Sequence, residues 1–149
     1  MSRGYFGIGV MNSKTEVNIG TLMRSAYQMG AAFVFTIGRR YKPQSSDTCN
    51  TWKHIPLHHY ADWQDFIDHA PRDCPVIGIE MCGEDIREFA HPERCIYLLG
   101  AEDYGLQPDV MERCHGLVSL PCVRTQSYNV AVAGSLIMFD RLVKRGIER

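Results

Sequence analysis

Two polar loops in the last third of the chain carry residue types that bind ligands. In the first loop, residues 100–106, Gly100 and Gly105 lie on either side of the carboxylate of Glu102. Glycine has no side chain, so such a loop lets the backbone approach a ligand closely. The second loop begins at Leu120-Pro121 and ends at Ser127-Tyr128-Asn129, where an apolar helix starts. These two loops are the candidate ligand site.

Each loop follows a short apolar run, Cys95–Leu99 or Leu117–Leu120, that is too short for a helix and is closed by a turn signal. Such runs predict buried strands. Open α/β sheets bind ligands in the loops at the carboxyl ends of their parallel strands. The position of both loops therefore fits a ligand site of this kind.

The rest of the chain predicts the sheet to which these strands belong. The predicted strands are Tyr5–Val10, Ala32–Ile37, His54–Leu57, Val76–Glu80, Cys95–Leu99 and Leu117–Leu120, and the predicted helices are Asn18–Met29, Ala61–His69, Pro108–Arg113 and Asn129–Arg145, with one helical turn at Ile86–Phe89. This alternation predicts an α/β fold with a mainly parallel sheet and helices on both faces. The length of 149 residues predicts one domain, residues 1–149.

The pair Gly7-x-Gly9 imitates the start of a dinucleotide-binding fingerprint. The position of the third glycine holds Asn12, however, and the following helix begins too late. We interpret the pair as small residues that allow close packing within a strand. This argues against a nicotinamide-binding protein, whereas a flavodoxin-like protein would share the α/β pattern.

The first predicted helix begins with Asn18 as its N-cap and ends before Gly30. Its apolar face is formed by Ile19, Leu22, Met23, Ala26 and Met29. Arg24 lies about 140° around the helix from Ile19, beyond the edge of that face. Position alone therefore predicts a surface arginine.

Three segments resemble motifs of the SPOUT methyltransferases, in the SpoU/TrmH branch. The first motif, N-x-G-x-x-x-R, resembles Asn18-Ile19-Gly20-Thr21-Leu22-Met23-Arg24. The second resembles Gly100-x-Glu102-x-x-Gly105-Leu106, and the third resembles Leu120-Pro121 with Ser127-Tyr128-Asn129-Val130. The motifs occur in the family's order and cover nearly the whole chain. Two features differ from the family pattern: Glu16 stands where proline is common, and the loop from Pro121 to Asn129 is a residue shorter and carries Arg124.

The resemblance implies a deep trefoil knot in the C-terminal third and an S-adenosylmethionine-dependent RNA ribose 2′-O-methyltransferase. It implies cofactor binding by Ile79, Gly100, Gly105, Leu120, Ser127 and Asn129, and catalysis by Arg24, Asn18, Glu102 and Asn129. The favoured substrate is tRNA, because compact relatives modify tRNA. An rRNA substrate, or a catalytically silent RNA-binding protein of the same fold, is the alternative.

Arg24 corresponds to the arginine to which the family assigns activation of the 2′-hydroxyl. A guanidinium has a pKa above about 12 and hardly deprotonates in proteins, which argues against a role as a base. We expect it to hold an RNA phosphate and to stabilise negative charge on the oxygen. Its position beyond the apolar face suits a cleft or a neighbouring subunit.

Charge gives only local support for RNA binding. The formal net charge is −1, whereas phosphate binding normally leaves a basic footprint. Long polar loops in compact domains are often functional, and the stretch Gly38–Trp52 contains Arg39, Arg40 and Lys42, the candidate RNA contacts. A second basic group comprises Arg141, Lys144, Arg145 and Arg149. It fits RNA contact and a favourable charge at a helix C-terminus equally well.

The last predicted helix, Asn129–Arg145, is apolar on nearly all sides of its first turns, so it must be covered on every side. A sheet covers only part of it. We therefore expect a homodimer packed through this helix, as the resemblance also implies. Deep burial inside a monomer is the alternative.

Composition argues against several other classes of protein. The six cysteines form no C-x-x-C, and the histidines show no ligand spacing with them, which favours reduced structural thiols without a metal. The sequence contains no run of about eighteen apolar residues, so no membrane span is predicted. The first residues lack the pattern of a signal peptide. We therefore expect a cytoplasmic protein.

Overall fold

The computed structural model describes residues 4–39 and 51–146 of the chain. In chain order, the elements are strand β1 (Tyr5–Met11), helix α1 (Glu16–Gln28), strand β2 (Phe33–Ile37), a 3₁₀ turn (Thr51–Lys53), strand β3 (Leu57–Tyr60), helix α2 (Trp63–His69), strand β4 (Val76–Asp85), strand β5 (Arg94–Leu99), helix α3 (Pro108–Arg113), strand β6 (Gly116–Ser119) and helix α4 (Val130–Arg145). The predicted alternation of strands and helices is confirmed.

The six strands form one sheet in the order β3-β2-β1-β5-β4-β6. Every neighbouring pair is parallel, which confirms the predicted parallel sheet. In a parallel sheet all carboxyl ends lie at one edge. Because β5, β4 and β6 are neighbours, the segments that follow these three strands are brought together there. The trefoil knot stays a prediction.

Helices cover both faces of the sheet, as predicted. On one face, Phe6, Ile8 and Val10 of β1 belong to the same buried cluster as side chains of α1 and α4. On the other face, Ile96 and Leu98 of β5 pack in a second cluster with residues of α2 and α3. Successive strand residues point to opposite faces, so the nearly continuous apolar runs of β1 and β5 supply both clusters.

The glycines of β1 allow the close packing that the sequence predicts. A Cβ atom added to Gly7 would lie 2.3 Å from the ring of Phe33, and one added to Gly9 would lie 2.5 Å from the ring of Phe35. The aromatic rings of β2 occupy the space that side chains would need. These glycines therefore serve packing within the sheet.

Four predicted boundaries are wrong by two residues or more. Helix α2 begins at Trp63 rather than Ala61, because Asp62 is its N-cap and accepts a hydrogen bond from the Asp65 N–H. Helix α1 begins at Glu16 rather than after Asn18, and its N-cap is Thr15, whose side chain makes no capping hydrogen bond. Glutamate in the first turn is stabilised by the helix dipole, so the helix can start before Asn18. The side chain of Asn18 then bonds elsewhere.

The other two boundary corrections concern strands. Strand β3 is Leu57–Tyr60 rather than His54–Leu57. Pro56 has no N–H to donate to a ladder, and only its carbonyl takes part, accepting a hydrogen bond from the Val34 N–H at 2.9 Å. Strand β4 continues beyond the predicted Glu80 to Asp85, and its pairing with β6 changes register between Ile79 and Glu84. Ile86–Phe89 forms a hydrogen-bonded turn, in which the Phe89 N–H donates to the Ile86 carbonyl at 3.1 Å.

The basic group at the end of α4 is not an exposed patch. Arg141 is buried, with 1% of its surface exposed. Its guanidinium donates hydrogen bonds of 2.7 Å to the carbonyls of Pro92 and Glu93. Lys144 donates to the carbonyl of Phe89 at 3.0 Å. These cations hold the chain before β5 against α4, and Arg149 lies outside the described residues.

Candidate active site

A cavity of about 260 Å³ lies at the carboxyl ends of β5 and β6, beside the part of β4 where its pairing with β5 ends, at Ile79. Five of the residues predicted to bind a cofactor line it together: Ile79, Gly100, Gly105, Leu120 and Ser127. Leu99, Val130 and Ala133 add apolar wall. The structure thus brings the two polar loops and the end of β4 into one pocket, as the sequence predicts for a ligand site.

The loop after β5 closes tightly because its two glycines touch. The Gly105 N–H donates to the Ala101 carbonyl at 2.9 Å, and a Cβ on Gly100 would lie 2.2 Å from the carbonyl carbon of Gly105. Gly105 has a φ of +66°, and a Cβ there would lie 2.3 Å from a carboxylate oxygen of Glu80. Both positions therefore require glycine, and the loop presents backbone to the pocket.

Glu80 is a pocket residue that the sequence analysis missed. It follows the buried residues of β4, and its Oε1 accepts a hydrogen bond from the Leu106 N–H at 2.6 Å. The bond ties the end of β4 to the glycine loop, and Glu80 also lines the cavity. A carboxylate directly after a buried apolar run, at the sheet edge where ligands bind, is the signal that could have identified it.

Three motif residues form a polar network beside the pocket. Asn18 Nδ2 donates to Glu102 Oε1 at 3.0 Å, and Asn129 Nδ2 donates to Asn18 Oδ1, also at 3.0 Å. Asn129 Oδ1 in turn accepts from the N–H groups of Ala131 and Val132, capping α4. The network therefore joins α1, the loop after β5 and the start of α4, and it fixes the orientation of both amides.

The carboxylate of Glu102 is surrounded by donors. Besides Asn18, it accepts hydrogen bonds from the Ser13 hydroxyl at 2.9 Å, the Lys14 N–H at 2.9 Å and the Thr15 hydroxyl at 3.4 Å. Burial acts to raise the pKa of Glu102, but the hydrogen bonds from Lys14, Asn18 and Ser13 outweigh it and lower the pKa below its ordinary value. Glu102 is therefore ionised at neutral pH.

Arg24 does not lie at this pocket within the chain. It is exposed on α1 and lines a second cavity of about 490 Å³ with Tyr27 and His54. No residue lines both cavities. Across residues 4–39 and 51–146, Arg24 has no hydrogen bond or ion pair. The structure thus joins three of the four predicted catalytic residues and leaves the guanidinium apart.

Of the predicted RNA contacts, the structure describes only Arg39; Arg40 and Lys42 lie outside the described residues. Arg39 is exposed after β2, and its guanidinium donates to the carbonyl of Lys14, next to the Glu102 network. In the part of the chain that is described, no group of three or more His, Cys, Asp or Glu side chains could hold a metal ion. No helix there is long and apolar enough to cross a membrane.

The fold is similar to that of several solved structures. The chain resembles an AdoMet-bound rRNA methyltransferase from Sinorhizobium meliloti (TM-score 0.82, 22% identity), covering 95% of this chain and 57% of that one. It also resembles a protein solved in work on the 2-OH methylation of C/U34 on tRNA (TM-score 0.84, 21% identity). That match covers 97% of this chain and 98% of the other. A third similar structure is the SpoU methyltransferase AviRb from Streptomyces viridochromogenes with AdoMet (TM-score 0.85, 20% identity). That match covers 97% of this chain and 59% of the other. The chain thus spans less than two thirds of two of these structures.

No curated protein matches the sequence. The model of the SpoU rRNA Methylase family, in contrast, matches residues 6–139. The matched region contains the whole glycine-loop pocket and the Asn18–Glu102–Asn129 network. The chain belongs to the SpoU rRNA Methylase family.

Proposed function

We propose that the protein is an S-adenosylmethionine-dependent methyltransferase that acts on a ribose 2′-hydroxyl of RNA. The observation that carries the proposal is the network of Asn18, Glu102 and Asn129 beside the glycine-loop pocket. Three segments far apart in sequence meet there, each contributing its motif residue. The network places an ionised carboxylate at the pocket and two oriented amides beside it, and these groups can position a ribose and the cofactor loops.

The pocket fits the cofactor that the family implies. The tight loop of Gly100 and Gly105 offers backbone groups at close range, and Leu99, Leu120 and Val130 provide apolar surface. The carboxylates of Glu80 and Glu102 lie at the same pocket and suit a ligand that carries positive charge. When bound, S-adenosylmethionine supplies a methyl group on a sulfonium for in-line transfer. The chain's own task is to align that methyl group with the nucleophile.

The favoured substrate is tRNA, with rRNA as the alternative. The structure related to methylation of C/U34 on tRNA is covered over 98% of its length by this chain. The rRNA methyltransferase from Sinorhizobium meliloti is covered over only 57%. The similarity to the structure related to methylation of C/U34 on tRNA supports the tRNA assignment.

A homodimer packed through α4 would complete the site. Helix α4 exposes an apolar stripe of Val132, Leu136, Phe139 and Val143, with exposed fractions of 38–63%. The same helix contacts α1 beside Arg24, where Ser135 Oγ donates to Ser25 Oγ at 2.8 Å. A two-fold dimer buries the same patch on both subunits. We propose that the stripe packs on its copy and that Arg24 of one protomer serves the pocket of its partner.

In this arrangement the residues have separate roles. Arg24 holds the RNA phosphate bidentately and stabilises negative charge on the attacking oxygen. Glu102 accepts a hydrogen bond from the amide of Asn18, and Asn18 in turn accepts one from the amide of Asn129 beside the pocket. The amides position the loops and the ribose, and no residue of the chain has to form a covalent bond.

The activity is tested by transfer of labelled methyl groups from S-adenosylmethionine to unfractionated tRNA and, separately, to unfractionated rRNA. We expect transfer to tRNA, and 2′-O-methyl nucleosides found by mass spectrometry of the product. Transfer only to rRNA would support the alternative substrate. A protein that binds RNA but gives no heat with S-adenosylmethionine in calorimetry would be the silent RNA-binding protein, and the proposal would be wrong.

The dimeric site is tested by mixing two inactive variants. Arg24→Ala removes the guanidinium, and Asn129→Ser removes the amide but keeps a capping hydroxyl for α4. If Arg24 acts in the partner's site, a mixed dimer has one site with both groups intact. An equal mixture that reassorts at random then recovers about a quarter of wild-type activity. A mixture no more active than its components would show that Arg24 does not act across the dimer.

A further inference from the structure

The second cavity, lined by Arg24, Tyr27 and His54, shares no described lining residue with the glycine-loop pocket. Its remaining lining is Thr21, Ser25, Gln28, Met29 and Thr51. Three of its polar side chains, Thr21, Arg24 and Gln28, form no hydrogen bond within the described ranges. The cavity therefore offers a cation and neutral hydrogen-bonding groups to an external ligand.

Two aromatic rings lie together at this cavity. The ring centroids of Tyr27 and His54 are 5.9 Å apart, with their planes at 39°. The pair joins the outer side of α1 to the residue after the 3₁₀ turn. Tyr27 remains 49% exposed, more than a ring that only anchored the turn would need. Such exposed rings can accept a third flat group by stacking, as aromatic side chains do with bases of single-stranded RNA.

Charge distinguishes the two cavities. Glu80, Glu102 and Asp103 line the glycine-loop pocket, and carboxylates at these positions disfavour the approach of a phosphate. Among residues 4–39 and 51–146, the second cavity is lined by no carboxylate, and the guanidinium of Arg24 is the one permanent charge that these residues bring to it. A phosphate is therefore accommodated better by the second cavity than by the glycine-loop pocket.

We propose that the second cavity binds one nucleotide of the RNA substrate, with its phosphate on Arg24 and its base stacked on Tyr27 and His54. This inference rests on the proposed function for the identity of the RNA as substrate, and it adds a base-binding platform to the phosphate contact. Stacking accepts every base because every base has a flat face. The platform then contributes affinity for an unpaired nucleotide with little selection of sequence.

The test measures binding of fluorescein-labelled unfractionated tRNA and rRNA by anisotropy, which needs no catalytic activity. Loss of one base–aromatic stack costs about 1–3 kcal/mol, so we expect Tyr27→Ala and His54→Ala each to weaken binding about 5-fold to about 150-fold. Tyr27→Phe keeps the ring and should bind like wild type. His69→Ala, an exposed histidine of α2, is the matched control and should also bind like wild type. Affinity for S-adenosylmethionine should be the same in all variants.

Three results would overturn the inference. The first is a wild type that binds neither RNA. The second is that Tyr27→Ala and His54→Ala bind RNA as tightly as wild type. The third is weaker binding that comes with dissociation of a dimer in light scattering, which would make the rings subunit contacts. Failure of the proposed function gives a different result. In that case wild type binds RNA through these rings but neither binds S-adenosylmethionine nor transfers methyl groups.

Discussion

Replacing Glu102 by glutamine tests whether the polar network holds the site together. All the groups that face this carboxylate are donors: the hydroxyls of Ser13 and Thr15, the N–H of Lys14 and the amide of Asn18. Glutamine has nearly the same shape, but one of its two terminal atoms is itself a donor. In Glu102→Gln at least one of these donors therefore faces an N–H group and loses its acceptor.

The size of the effect follows from those hydrogen bonds. A hydrogen bond to a charged group contributes about 1.5–3 kcal/mol, and a partly buried donor left without its acceptor costs a similar amount. Glu102 is half-buried, so we expect the free energy of unfolding to fall by about 2 kcal/mol at pH 7. For a protein of this size that corresponds to a melting temperature lower by about 4–8 °C.

The assay is urea unfolding at several pH values. The folded-state pKa of Glu102 is lowered, so its stabilisation is present above the unfolded-state value near 4.5 and is lost as pH falls through the folded-state pKa. The difference between wild type and Glu102→Gln should therefore be full at pH 7 and shrink in acid. The control is Glu112→Gln, an exposed carboxylate of α3. An effect no larger than this control, or one unchanged in acid, would refute the reasoning.

Three further predictions concern other parts of the chain. Gly105→Ala should lower the free energy of unfolding by about 1–3 kcal/mol, because residue 105 has a positive φ. The same variant should bind S-adenosylmethionine more weakly in calorimetry. The control is Gly116→Ala, where an added Cβ meets only Ile77, at 3.4 Å. Arg141→Leu should cost about 3 kcal/mol or more in urea unfolding, because it removes the hydrogen bonds of a buried guanidinium to the carbonyls of Pro92 and Glu93 and to the buried hydroxyl of Tyr97. Phe139→Glu should give a folded monomer in light scattering, and an unchanged size would contradict packing through α4.

The central strands β1, β2 and β5 could be predicted because they are buried on both faces. Runs such as Cys95–Leu99 are apolar without interruption, and only a covered parallel strand needs that pattern. Boundaries were less predictable where two local preferences compete. Asn18 is a favourable N-cap, yet Glu16 also suits a first turn, and the helix begins there. The partner that uses the Asn18 side chain, Glu102, is far away in sequence, so no local pattern could indicate it.

The candidate site was predictable to the extent that backbone geometry creates it. Gly100 and Gly105 indicate close backbone approach in any fold, and they do line the pocket. Glu80 was missed because its role depends on strand order: β4 must lie beside β5 for the carboxylate to reach Leu106. Arg24 shows the opposite case. Its helical position correctly predicted an exposed arginine, but helical position cannot indicate which cavity the guanidinium lines.

The charges at the site limit how a hydroxyl proton could leave. Four donors face the two oxygens of Glu102, and its lowered pKa makes it a poor proton acceptor. Glu80 Oε1 is occupied by the Leu106 N–H, and a guanidinium such as that of Arg24 keeps its proton. The motif residues therefore suit positioning and charge stabilisation better than proton abstraction. On the proposed function, the proton then passes to water or to an RNA phosphate as the new bond to the ribose oxygen forms, and Arg24 contributes by stabilising that oxygen.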